Sequence, residues 1–162
     1  MFAALIISQA LTAAPVLPAG WLKACATGEA THCEVASVTT EDLFWLNVAV
    51  NHMIKPKADV GGEVESWRVF PAEGDCSDYT LSKRAVLLAW GVDPKRLTIE
   101  LGEHYRVGQW RRHMNLRVVT PSGDLILDNI QDQPYAPAAR PFPWRAIASQ
   151  PSAGPLWTTP ED

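Results

Sequence analysis

Apolar residues first recur at helical spacing from Leu43, through Leu46 and Val50 to Met53. Thr39 and Thr40 can cap this helix, Glu41 and Asp42 suit its positive end, and Lys55-Pro56 stops it. A second helix is predicted from Cys76 or Asp78, with Leu81, Ala85 and Leu88 on one face, Lys83 and Arg84 pointing elsewhere, and Gly91 and Pro94 as the stop. The period then changes to two. Leu97, Ile99 and Leu101 alternate with Thr98 and Glu100, Met114, Leu116 and Val118 alternate with Asn115 and Arg117, and Leu125 and Leu127 flank Ile126. Thr120-Pro121-Ser122-Gly123 carries Pro second and Gly fourth, which predicts a type I turn closing the last two runs into a hairpin. Residues 16–38 read as an irregular surface segment, 57–75 as a long loop of the kind that carries function, and the Pro-rich chain after Asn129 as a surface wrap. Helices followed by an antiparallel sheet predict an α+β fold.

The length of 162 residues supports one domain. With 47% hydrophobic and 20% charged residues, neither a disordered chain nor a membrane-embedded body is expected. A net charge of -4, with basic residues scattered apart from Arg111 and Arg112, argues against nucleic acid as a partner. The opening MFAALIISQALTAAP is apolar but too short for an integral membrane span. It reads either as a secretory signal, with Ala13 and Ala14 suited to cleavage, or as an N-terminal helix packed on the domain; Gln9 and the lack of an early basic residue weigh against the signal. Residues 1–20 are therefore set apart as a signal or N-terminal apolar segment, and 21–162 as the domain. Cys25 and Cys33 flank a loop that a disulfide could close in an oxidising compartment, and Cys76 is left as the odd thiol. There is no CxxC pair, and His32 beside two cysteines does not make a zinc site.

Cys76 stands in GDCSDY, where a glycine-containing loop turns into a helix. A helix start favours thiolate and offers a backbone N–H to an oxyanion, both of which suit a nucleophile. Asp75 and Asp78 oppose this by like charge. His113 is the candidate base: it opens a strand and shares the face of Asn115 and Arg117, away from Met114, Leu116 and Val118. His32 lies in the irregular segment, His52 in the first helix and His104 in the turn before His113. Asp128 ends the next strand and is the candidate to orient the imidazole. Counting outward from the turn puts it opposite residue 116, about 10 Å from His113 along an ideal strand. A bulge or strong twist would have to close that gap; otherwise Asn129 or Asp132 becomes the better partner.

The order Cys, His, Asp, with the cysteine on a helix start and the others on strands, resembles papain-like and transglutaminase-like enzymes. VNHMI, the stretch from Asp59 to Trp67 with Glu65, GDCSDYTLSKR, HMNLRV and LILDNI resemble the bacterial transglutaminase-like cysteine proteinases, the family that includes the periplasmic protease releasing large biofilm adhesins. The likeness runs from about Trp21 to Trp157. It implies a papain/transglutaminase-like fold, with the nucleophile helix packed on an antiparallel sheet, and a Cys76, His113, Asp128 triad. It also implies a cysteine peptidase acting on protein or peptide through a thioester, in the periplasm or secreted; a cytoplasmic home is the alternative. Acyl transfer or amidase action on cell-wall peptides or protein amides shares the same site chemistry, and a non-catalytic protein-binding domain is the reading from another class. Relatives carry Glu after the cysteine, where this chain has Ser77. Losing one of three hard oxygen donors weighs against a calcium site, so no cofactor is expected to be required, with calcium as the alternative. Trp67, in the long loop, is a candidate to line the cleft, with packing as the alternative, and Trp110, just before His113 in a segment that departs from the family, is a candidate to shape substrate choice.

Overall fold

The computed structural model describes residues 19–33, 37–57, 67–151 and 157–159. The predicted signal and the stretch from Asp59 through Glu65 lie outside them. Helix α1 (Ala19–Thr27) forms inside the segment read as irregular. Its apolar content was hidden by Gly, Thr and Ala, yet Leu22 is fully buried and Trp21 stacks on Trp90 at 6.3 Å. A disulfide joins Cys25 of α1 to Cys33, eight residues on, with Cα atoms 5.8 Å apart. Loop closure of that length contributes about 2 to 3 kcal/mol in the chain-entropy account. Replacing both cysteines with alanine is expected to lower the melting temperature by roughly 5 to 10 °C, measured by calorimetry, while Cys76 stays intact.

Helix α2 (Thr40–Met53) begins with a capping box in which Thr39 and Asp42 bond each other's backbone N–H. Its face of Leu43, Leu46 and Val50 enters the core. Two short parallel strands, β1 (Lys55–Pro56) and β2 (Glu73–Gly74), bracket the long loop. Helix α3 (Cys76–Ala89) follows β2 after the single residue Asp75.

The main sheet has four strands in the order β5-β4-β3-β6. These are β3 (Leu97–Arg106), β4 (Gln109–Val118), β5 (Leu125–Leu127) and β6 (Trp144–Pro151), all antiparallel to their neighbours. Leu97, Ile99, Met114, Leu116, Val118 and Leu127 share one face with the core side chains of the helices. The α+β architecture is as read from the sequence, with two extensions. β3 and β4 run on to a two-residue turn, Val107-Gly108, where both residues have positive φ (51° and 77°). This places His104 inside a strand and His113 mid-strand, not at its opening. β6 arises in the Pro-rich tail read as a surface wrap.

Candidate active site

The GDC sequence is explained by its own hydrogen bonds. Asp75 is the N-cap of α3, and its Oδ1 accepts from the N–H of Ser77 at 2.9 Å and of Asp78 at 3.4 Å. The Cys76 N–H, first in the helix, is left out of this cap. Asp78 folds back over the turn. Its Oδ1 accepts from Arg68 N–H at 2.8 Å, and its Oδ2 from the Arg68 guanidinium at 3.1 Å. Gly74 is required for this: an added Cβ would lie 2.3 Å from Asp78 Oδ2. The two carboxylates flanking Cys76 are thus matched by N–H donors and a guanidinium. Cys76 is half-buried and is the free cysteine among the described residues.

His113 is brought to Cys76 by an open sheet edge. β5 is only three residues long and, among the described residues, leaves the β4 edge facing away from β3 without a strand partner beyond Leu116. α3 lies along this gap, with Thr80 Oγ1 donating to the Met114 carbonyl at 3.2 Å. The His113 ring donates from Nε2 to Asp128 Oδ1 at 2.7 Å, which leaves Nδ1 as the nitrogen available to Cys76, whose sulfur is near enough to act on the charge of the ring. Asp128 is held from all sides. Its Oδ2 accepts from Tyr135 O–H at 2.6 Å, and its Oδ1 also accepts from Ile130 N–H at 3.1 Å. Asn51, in the VNHMI stretch of α2, donates to its carbonyl at 3.0 Å, and His52 pairs with Asp132 at 3.0 Å.

The gap predicted between His113 and Asp128 does not exist, and no bulge is needed between β4 and β5. The ladder pairs Leu116 with Leu127, so the next position, Asp128, is opposite residue 115 and not 116. One residue changes the face as well as the distance. Asp128 therefore falls on the side of Asn115 and His113, and the diagonal between strands is within reach of two such side chains. Asn129 and Asp132 are not the partners.

Burial pushes the His113 imidazole down, but its hydrogen bond to Asp128 and the negative charge of Asp128 and Cys76 outweigh this and raise its pKa to about 9. Burial likewise pushes Asp128 up, and the bonds and charge of His113, with Tyr135 and Lys83, bring it to about 2. Lys83, on α3, is itself buried. Desolvation lowers its amine to about 7 against the pull of Asp128 and Asp132.

The family model of the bacterial transglutaminase-like cysteine proteinases matches residues 13–159. The chain belongs to this family. No curated protein matches it. Among solved structures it is similar to Legionella pneumophila LapG, with 22% identity, a TM-score of 0.61 and coverage of 85% of this chain and 86% of that one. The calcium-bound form of LapG gives 22%, 0.63, 90% and 91%, and the EGTA-treated form 21%, 0.58, 85% and 83%. At these identities the likeness concerns the transglutaminase-like fold. Membership of the proteinase family makes the chain a cysteine protease.

Calcium in a similar structure raises the question of a site here, and the donors of this proteinase do not fit one. Asp75 Oδ1 is taken by two N–H groups and by the Ser77 hydroxyl at 2.7 Å, and both Asp78 oxygens face N–H donors of Arg68. Ser77 is buried within the cap. A hard dication needs several converging anionic or carbonyl oxygens, whereas a guanidinium stands against Asp78.

Trp67 is exposed, edge-on to Trp157 at 6.0 Å, and precedes Arg68, which ties the segment to the α3 start. Trp110 is half-buried on β4, with the Arg145 guanidinium 3.8 Å above its ring. Tyr135, Lys83, His104 and Trp144 were not singled out from the sequence. Tyr135 and Trp144 sit in the Pro-rich tail without periodicity, and the placing of Tyr135 depends on a lone bridge to Ile126.

Proposed function

We propose that this protease cleaves peptide bonds through a Cys76, His113, Asp128 triad and a thioester intermediate. The observation that carries the reading is the 2.7 Å bond from His113 to Asp128, made by an imidazole whose charge is also favoured by Cys76. The Cys76 thiolate adds to the substrate carbonyl carbon, and the carbonyl electron pair moves to oxygen. The resulting oxyanion is met by the uncapped Cys76 N–H at the helix start. Collapse breaks the C–N bond as His113 passes a proton to the leaving amine, which departs and leaves a thioester. His113, now neutral, takes a proton from water as it attacks, and the second collapse expels thiolate and a carboxylic acid. Asp128 keeps the ring in the orientation that serves both steps.

The experiment is incubation of the purified protein with an unfolded protein substrate and a peptide library, with new termini read by mass spectrometry. Cleavage by the wild type and none by Cys76→Ser supports the reading. Cleavage that persists in Cys76→Ser contradicts it. Hydroxylamine tests the thioester, because it intercepts one as a hydroxamate.

Trp67, next to the Arg68 that reaches Asp78, and Trp110, three residues before His113, line the substrate path in this reading. Trp67→Ala and Trp110→Ala are expected to raise KM several-fold with a smaller effect on kcat, and unchanged KM values would return both rings to packing. Calcium is not required in this reading: 5 mM EGTA, on the order of ordinary chelator concentrations, is expected to leave both hydrolysis and melting temperature unaltered, because Arg68 already neutralises Asp78. A fall in either would contradict the proposed role of that ion pair. The Cys25–Cys33 bridge favours an oxidising compartment, the periplasm or the outside of the cell.

A further inference from the structure

The bond from Nε2 to Asp128 fixes one point of the His113 imidazole and leaves the ring free to turn and tilt about it. The surroundings of His113 address that remaining freedom. Gly102 lies directly opposite His113 in the ladder. An added Cβ there would meet Trp144 Cζ2 at 2.3 Å and the Arg145 carbonyl oxygen at 2.5 Å. The register between β3 and β6 shifts at this point. Trp144 uses the space over the glycine to stand edge-on to His113, with centroids 6.3 Å apart and planes at 86°. It is held in turn by the Arg140 guanidinium, 4.2 Å from its ring.

His104 lies flat against His113, with centroids 4.7 Å apart and planes within 4°. Only 9% of it is exposed, and its buried Nδ1 has no hydrogen-bond partner among the described residues. Here the residue presents its plane and not its polar atoms. Burial lowers its pKa, the charges of His113, Arg106 and Arg111 add to this, and Asp128 opposes it. A neutral π face against a protonated ring is an attractive contact.

We infer that His104 and Trp144 are positioning residues for His113, forming an aromatic cage, opened by Gly102, that fixes the imidazole plane so that Nε2 stays on Asp128 while Nδ1 stays on Cys76. The kinetic consequence rests on the triad reading above; the ring geometry does not. A ring tilted off both partners loses proton transfer more than substrate binding, and small misplacements of this kind cost about 10²-fold in rate.

The test compares wild type, His104→Ala and His104→Phe. His104→Ala is expected to lower kcat about 10- to 100-fold with KM within about threefold. His104→Phe, a flat ring without nitrogen, is expected to recover kcat to within about fivefold of wild type. Proton NMR supplies the second readout: the downfield Nε2–H signal of His113 should be sharp in wild type and His104→Phe and broadened by solvent exchange in His104→Ala. Unchanged kcat and a sharp signal in His104→Ala overturn the inference, as does a His104→Phe no better than alanine. If His104→Ala does not fold, His104→Phe alone decides, since a lost signal in that folded variant also overturns it. Absence of hydrolysis by the wild type would count against the protease mechanism and leave the NMR comparison to decide the cage.

Discussion

Cys76→Ala is expected to reduce kcat for peptide hydrolysis by at least about 10³-fold, to the level of the uncatalysed background, because no other thiol is near His113. The disulfide sulfurs cannot substitute. Cys76 is half-buried and makes no contact on which the α3 cap depends, since Asp75, Ser77 and Asp78 form that cap among themselves and with Arg68. The melting temperature should therefore move by no more than roughly 2 °C. Progress curves with the best library peptide, run beside a thermal melt of each protein, separate the two effects. A variant that melts like wild type and still turns over at more than a tenth of the rate would remove Cys76 from the mechanism.

Asp128→Asn is expected to lower kcat by about 10²- to 10⁴-fold, the range in which loss of an orienting carboxylate falls. The variant keeps the size of the side chain and removes the charge that holds His113 protonated. Burial, the largest influence on the imidazole, then acts against a single remaining partner, and the pKa should drop from about 9 toward or below its ordinary 6.5. The sign for stability follows. In the wild type the raised His113 pKa contributes stability that is fully present below pH 6.5 and is lost as pH rises through about 9. The lowered Asp128 pKa contributes stability present above 3.8 and lost as pH falls through about 2. Melting temperatures across pH 6 to 10, a window of about four units around the raised value, should decline in wild type and stay flatter in Asp128→Asn. NMR titration of the His113 ring checks the same shift directly, and an unmoved imidazole pKa would contradict it.

The candidate nucleophile stood out in the sequence because the signals around Cys76 are local. A glycine that a folded-back Asp78 demands and an aspartate that caps lie within one turn of Cys76, whereas the face read from Leu81, Ala85 and Leu88 is only half-buried and Tyr79, Lys83, Val86 and Leu87 take the buried one. The face of His113 was likewise legible, since Met114, Leu116 and Val118 alternate without a break into the core. The partner Asp128 was found by order and resemblance, but its placement was one residue off. The turn is centred between Pro121 and Ser122, so Thr120 bonds Gly123, and pairing counts outward from there to Val118 with Leu125. Centring it half a residue later, on Ser122, shifts the pairing by one and reverses the face of every side chain beyond.

What could not be read was non-local. Val107 takes a positive φ in the two-residue turn, a conformation the β-branched side chain disfavours, so only Gly108 marks the end of β3, and His104, between Gly102 and Gly108, reads as part of the turn. β6 is an edge strand bounded by prolines, where hydrogen bonds to β3 and not alternation fix the structure. Tyr135, Trp144 and Arg140 act on the site from this tail. α1 was hidden by composition and is held by a disulfide and one tryptophan stack.

The most direct measurement of the central claim is the rate at which iodoacetamide alkylates Cys76 at pH 6, followed by intact mass in wild type and His113→Ala. A thiolate held by the His113 imidazolium should react at least about tenfold faster in wild type than in the variant, and Asp128→Asn should fall between them. Equal rates in wild type and His113→Ala would mean that the histidine does not activate the cysteine, and the proposed triad would fail.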